Sequence, residues 1–231
     1  MPDQPDRPEQ PDQPMFPASL KPVPGTFQWK LIGFSGDPAE AIPLLAEPWE
    51  LELRQNFSRY ARFCMTSARL VAHRRGHPVL TPFHLLLGLC ESKLWDLHLL
   101  PAGPSSSLIA PALESLLEQE SPALQQQWLQ DPTLQQALAH AREEAHERGY
   151  PIVGIETFLV PDASLQRIFA LAKDEARQHG AQRVSLGPLL LGLLRAVEED
   201  LLPPSLQQLL ARFGLSYAAV RSSLSDETFS L

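Results

Sequence analysis

An all-α fold, a bundle of repeated helix pairs, is what this sequence predicts. Three observations carry that reading. Counting back from Gly76, Gly149 and Gly180, an alanine stands four and eight residues earlier each time: Ala68 and Ala72, Ala141 and Ala145, Ala172 and Ala176. A leucine-rich run follows each glycine: His84-Leu-Leu-Leu-Gly-Leu89, Thr157-Phe-Leu-Val160 and Pro188-Leu-Leu-Leu-Gly-Leu-Leu194. Between these landmarks apolar residues recur at the helical period. A phrase repeated in one order fixes an architecture of helix pairs before any single residue is weighed.

The elements follow in order. Residues 1–24 alternate Pro, Asp, Gln and Glu and offer little to bury, so a disordered tail is expected. Over residues 25–55, Phe27, Trp29 and Leu31 alternate with polar residues, and Trp49 to Leu53 alternates again, which suggests an ordered arm or small β-hairpin. From residue 56 the helical period takes over, and 56–225 is read as the helical domain. Phe57, Ala61, Cys64, Met65, Ala68 and Ala72 share one face, while Phe63 and Leu70 lie opposite, where the aromatic arm could cover them. Gly76 caps that helix. Thr81-Pro82 restarts the chain as N-cap and first helical residue. Gly88 inside the next helix costs about 1 kcal/mol against Ala, so a close helix crossing is the expected compensation.

A loop is expected over 101–107, a helix over 108–119, and two further Xaa-Pro starts at Ser121-Pro122 and Asp131-Pro132. The second of these opens the middle copy, whose leucine helix Pro161 should stop after one or two turns. The third copy runs from about Ser164 to Gly180, with its leucine helix near 186–197. Helices over 204–213 and 216–224 follow, and 226–231 is a C-terminal tail.

Bulk composition narrows the function classes. A net charge of −8 and a pI near 5.4 disfavour general binding to nucleic acid or anionic membranes. No apolar run reaches the roughly 18–20 residues of a membrane span. The start lacks the basic and apolar regions of a secretory signal. Cys64 and Cys90 read as small core residues of a reducing compartment, so the cytoplasm is the expected location.

Long helix, Gly, short loop, Leu-Leu-Leu-Gly-Leu helix: this order resembles the Clp repeat domain, the amino-terminal module of Clp-family protein unfoldases. The family phrase runs approximately A-x-x-x-A-x-x-x-x-G-H-x-x-I-G-T-E-H-L-L-L-G-L, and Ala68 to Leu89 is similar to it, most clearly at Gly76-His77 and from His84 to Leu89. The stretch from Leu189 to Leu194 and from Leu209 to Leu224 resembles the end of a family repeat. The resemblance implies an all-α bundle with pseudo-twofold repeats that docks clients and adaptor proteins, here as a standalone module without the ATPase parts. Certain relatives recognise phosphorylated arginine through the Glu of G-T-E-H, once per repeat. Those positions are Phe83, Glu156 and Gly187 here, so only one of three keeps the carboxylate and a paired site is disfavoured. His84, also in the phrase, is expected to make a structural contact at a helix start.

The residues offer little to catalysis or metal binding. Lys21, Lys30, Lys93 and Lys173 follow Leu, Trp, Ser and Ala, so no phosphate loop can be placed and no nucleotide cofactor is expected. Gly33-Phe-Ser-Gly36 lacks the last glycine of a nucleophile elbow and reads as a turn. His73 and His77 are four apart, but Gly76 breaks the helix between them, so no metal is assigned. One charge feature remains. Arg59, Arg62 and Arg69 occupy one arc of about 80° on the helix wheel, a basic stripe that is either a solvated flank or a docking surface for an acidic partner.

The sequence therefore predicts a non-catalytic binding protein without cofactor: an adaptor, decoy or regulator of Clp-type proteolysis that binds clients or Clp subunits. Its candidate partner-binding residues are Arg59, Arg62, Arg69, Phe83, His84 and Glu156. The alternative is a nucleic-acid-associated or signalling module using the Arg59/Arg62/Arg69 stripe.

Overall fold

A computed structural model describes residues 44–46, 49–91, 94–147, 158–224 and 226–229. The tail at 1–24, the first part of the 25–55 arm, the turn at 33–36, Gly149 and Glu156 lie outside the described residues. The helices are α1 (Trp49–Asn56), α2 (Arg59–Arg74), α3 (Pro82–Glu91), α4 (Ser106–Gln130), α5 (Pro132–Glu147), α6 (Ala163–Gln178), α7 (Leu186–Glu198), α8 (Pro204–Arg212) and α9 (Tyr217–Ser223). A π-helical turn, Trp95–Leu99, follows α3, and a 3₁₀ turn, Asp226–Phe229, follows α9. Three short strands, β1 (Leu44–Leu45), β2 (Val79–Leu80) and β3 (Phe158–Pro161), make one parallel sheet in the order β1-β3-β2. The fold is all-α with this small addition.

The repeat is twofold, and its spacing is constant. Ser58 and Asp162 cap α2 and α6, each accepting from the backbone N–H three residues on. Ala68 and Ala172, Gly76 and Gly180, and Gly88 and Gly192 stand at equivalent places, with no insertion between Phe57 and Glu91 and their counterparts. Gly76 and Gly180 take φ of 64° and 69°. The amide after each reaches back to the last turn, His77 N–H to the Ala72 carbonyl and Ala181 N–H to that of Ala176. Glycine holds that left-handed corner without strain.

The two halves exchange strands. Phe57, before α2, bridges to Val184, before α7; its counterpart Pro161, before α6, pairs with Leu80, before α3. Each long helix is thus tethered at its start to the entry of the other half's leucine helix.

The leucine helices fill the core. Leu85, Leu86, Leu87 and Leu89 of α3 and Leu189, Leu190, Leu191 and Leu193 of α7 are fully buried. Each such side chain contributes roughly 1.5–3 kcal/mol of apolar burial before entropy is charged. The expected close crossing is present in both halves. A Cβ on Gly88 would lie 2.5 Å from the Cys64 carbonyl oxygen and 2.6 Å from the Ala68 nitrogen; one on Gly192 would lie 2.7 Å from the Ala172 nitrogen.

Four expectations need correction. No middle copy of the helix pair exists among the described residues, because Phe158–Pro161 is the central strand rather than a shortened helix. Three bulky residues suit a strand, and Pro161 is tolerated at its last position, where the next amide, Asp162 N–H, makes the bond to the Leu80 carbonyl. α5 is therefore the fourth helix of the first half. Ser121-Pro122 does not start a helix; α4 runs unbroken through Pro111 and Pro122. Both prolines are exposed, as are Ser107 and Glu118, whose carbonyls lose their helical partners, so water can serve them. The buried ladder of Ile109, Leu113 and Leu117 holds the helix together. Trp49 to Leu53 lies in α1 rather than in a hairpin, and Leu44–Leu45 pairs in parallel with β3. At the other end, 226–229 is a turn with buried Thr228 rather than a loose tail.

Candidate functional site

The three arginines of the stripe separate. Arg59 is exposed, Arg62 half-buried, and Arg69 buried. Arg69 Nη1 donates to Glu50 Oε2 of α1 at 2.9 Å and its Nε to the Met65 carbonyl. Burial lowers its pKa despite that carboxylate. It acts as a structural cation of the α1–α2 contact, so the stripe as a surface loses its third member. Arg62 belongs to a different cluster. Its pKa is lowered by burial and by the charges of Arg183, Arg54 and Arg59, and its Nε is buried with no hydrogen-bond partner.

Phe83 and His84 lie at the start of α3, both fully enclosed. Thr81 N–H donates to His84 Nδ1 at 3.1 Å, with the Thr81 hydroxyl 2.8 Å from the same nitrogen. His84 Nε2 lies 2.9 Å from His77 Nδ1, and His77 Nε2 lies 2.8 Å from Ser121 Oγ of α4. The Trp128 ring packs edge-on against His77 at 5.2 Å between centroids. The imidazole at the third helical position reaches back to the cap amide, as the Glu of a capping box does. Burial lowers the pKa of both rings, that of His84 well below the ordinary 6.5. This is the structural contact at a helix start expected of His84.

The order Ser121, His77, His84 is that of a nucleophile, a base and an orienting group. Its polarity runs the other way. Because His84 Nδ1 accepts from an amide, its Nε2 carries the proton and donates to His77 Nδ1. The proton of neutral His77 then sits on Nε2 and points at Ser121 Oγ, which accepts it. A base must offer a lone pair there. The chain staples α3 to α4.

The second half has no such chain, since Ala181 and Pro188 replace the two histidines. The 3₁₀ turn stands there instead. Ser185 Oγ donates to the Thr228 carbonyl at 2.8 Å, Phe229 stacks on His179 at 3.8 Å, and a Cβ on Gly187 would meet the Thr228 oxygen at 3.1 Å.

Sequence reasoning missed Glu175. This carboxylate of α6 is fully buried and binds Arg195 of α7 at 3.1 Å, Arg221 of α9 at 3.3 Å and the Tyr217 hydroxyl at 3.1 Å. The available signal was an acidic residue between Ala172 and Ala176 on the inward face.

Among the described residues, no group of three or more His, Cys, Asp or Glu could hold a metal ion, and no helix is long and apolar enough to cross a membrane.

Residues 56–163 match the family described as the Clp repeat (R) N-terminal domain. This stretch is a Clp repeat domain. The match runs from the last residue of α1 to the first residue of α6. Twenty-two chains among the solved structures resemble the chain. One, described as "Preliminary structural investigations of a malarial protein secretion system", is 16% identical with a TM-score of 0.49, covering 72% of this chain and 90% of its own. No curated protein matches the sequence. Of the three positions compared above with the Glu of the family phrase, Phe83 is enclosed and Gly187 lies under Thr228, while Glu156 lies outside the described residues. Neither described position presents a carboxylate.

Proposed function

We propose that this chain is a non-catalytic protein-binding module, an adaptor or regulator of Clp-type ATP-dependent proteolysis that holds client proteins or Clp subunits. The observation that supports this reading is the match of residues 56–163 to the Clp repeat family, a stretch that holds the close-packed pair α2–α3. Its buried polar groups are spent on structure: His84 and His77 on a helix start, Glu175 on joining α6, α7 and α9. Function then belongs to exposed faces. The nucleic-acid alternative is weakened because Arg69 is sequestered by Glu50. Affinity purification of the tagged protein from its own cells, followed by mass spectrometry, should recover an unfoldase or protease subunit. Recovery of ribonucleoprotein with a steep salt dependence would support the alternative instead.

A further inference from the structure

We propose that the 3₁₀ turn Asp226–Phe229 is an internal ligand, seated in a preformed peptide slot at the entry of α7 that a partner's aromatic turn segment takes when this one leaves. The inference rests on the protein-binding reading above and names a surface for it. Three groups shape the slot. Ser185 makes no side-chain cap bond to α7 and donates instead to the Thr228 carbonyl at 2.8 Å. Gly187 leaves room for the turn's backbone, since a Cβ there would lie 3.1 Å from the Thr228 oxygen and 3.4 Å from Leu224 Cδ1. Glycine weakens a helix, and in the first turn of α7 that close approach is what offsets it. The His179 ring is the flat wall on which Phe229 stacks at 3.8 Å.

The walls are held by elements other than the turn. His179 Nδ1 donates to the Glu175 carbonyl of α6 at 2.8 Å, and its Nε2 accepts from Arg221 of α9 at 3.0 Å. The Ser185 carbonyl accepts from Leu189 N–H, and its neighbour Val184 bridges to Phe57. Groups already in place cost little ordering when a ligand binds. The first half is the internal comparison. Thr81, Phe83, His84 and Arg75 stand there at the places of Ser185, Gly187, Pro188 and His179. Thr81 and His84 meet at 2.8 Å, enclosed Phe83 stands where Gly187 leaves space, and Arg75 pairs with Glu114 of α4 at 3.8 Å. That half closes on the side chains of α3 and α4. Pro188 offers no imidazole, so the buried Ser185 hydroxyl takes its acceptor from a segment 43 residues on. A buried hydroxyl needs a partner, and a carbonyl beside an aromatic ring is the chemistry that meets this slot.

The test is fluorescence anisotropy of the full chain with a labelled peptide that has the sequence of residues 225–231. In the unmodified protein the tethered turn competes, so Phe229→Ala, which keeps the slot, should bind the peptide about tenfold more tightly or better. Adding Gly187→Leu should abolish that gain, and adding Ser185→Ala, which removes only a hydroxyl, should reduce it. A peptide with Ala in place of Phe should lose binding. Amide exchange should rise at 226–229 of Phe229→Ala while α6 and α7 keep their protection. Equal peptide affinity in the unmodified protein and Phe229→Ala, or a gain that survives both slot substitutions, would overturn the proposal. So would loss of protection across α6 and α7, which would make the turn part of the core, or a dimer that Phe229→Ala abolishes, which would seat a second copy's turn in the slot. Failure to recover a Clp subunit from cells would count against the adaptor reading and leave this titration standing.

Discussion

Glu175 shows how much one side chain can hold. It is a fully buried carboxylate of α6 that accepts from two guanidinium groups and a phenol on two further elements, α7 and α9. Glu175→Gln would leave Arg195 and Arg221 facing a neutral amide. Their side chains are 27% and 40% exposed, so water recovers part of the loss. The expected cost is about 2–3 kcal/mol, at or below the low end for breaking a buried pair, read from the urea midpoint. A change within a few tenths would mean that the network adds nothing net. The histidine chain makes a pH prediction. Both rings have folded pKa values below 6.5, so the unfolded chain binds more protons just below that pH. Their stabilising contribution is present above 6.5 and is lost as pH falls through it. The urea midpoint should therefore drop between about pH 7.5 and about pH 5.5. His84→Gln keeps a capping side chain that does not titrate, and should flatten that drop. Parallel pH profiles for the two proteins would rule the rings out as the sensor.

At the scale of elements, the crossings of α2 with α3 and of α6 with α7 make the sharpest prediction. Alanine normally gains about 1 kcal/mol over glycine inside a helix. At Gly88 and Gly192 the new Cβ would press on backbone atoms, which cannot swing aside as a flexible side chain can. Gly88→Ala and Gly192→Ala should each lose on the order of 1–3 kcal/mol in chemical denaturation. A gain in either would show a looser crossing. These crossings were legible in the sequence, because a helix-weakening glycine opposite alanines a turn apart marks a place where two backbones touch. Three features were not. Local turn chemistry reads Ser121-Pro122 as a start, whereas the buried leucine ladder of α4 overrides it. Alanine spacing reads α5 as a new copy, though such spacing marks any closely packed helix. Arg69 shares a wheel arc with Arg59 and Arg62, but only a contact from α1 decides that it is buried, and nothing local to α2 encodes that contact.

For the whole molecule, the decisive element is the short helix α1. Its two carboxylates reach the two halves at equivalent places: Glu50 binds Arg69 of α2 at 2.9 Å, and Glu52 binds Lys173 of α6 at 2.7 Å. Arg69 and Lys173 are counterparts across the repeat, so α1 clasps both long helices. Burial makes the two clasps unequal. The Arg69 side chain is 8% exposed and Lys173 is 32% exposed. Glu50→Gln strands a buried guanidinium and should cost about 3 kcal/mol. Glu52→Gln frees an ammonium that water can serve, and should cost about 1 kcal/mol or less. The double variant then tests whether α1 acts as one unit. If losing Glu50 lets the helix lift away, Glu52 has little left to hold, and the double variant should lie well short of the summed single costs in a denaturation cycle. Amide exchange should rise in α1 of Glu50→Gln before it rises in α6. Full additivity would mean that the two ion pairs act independently, and that the halves are joined by their exchanged strands rather than by this clasp.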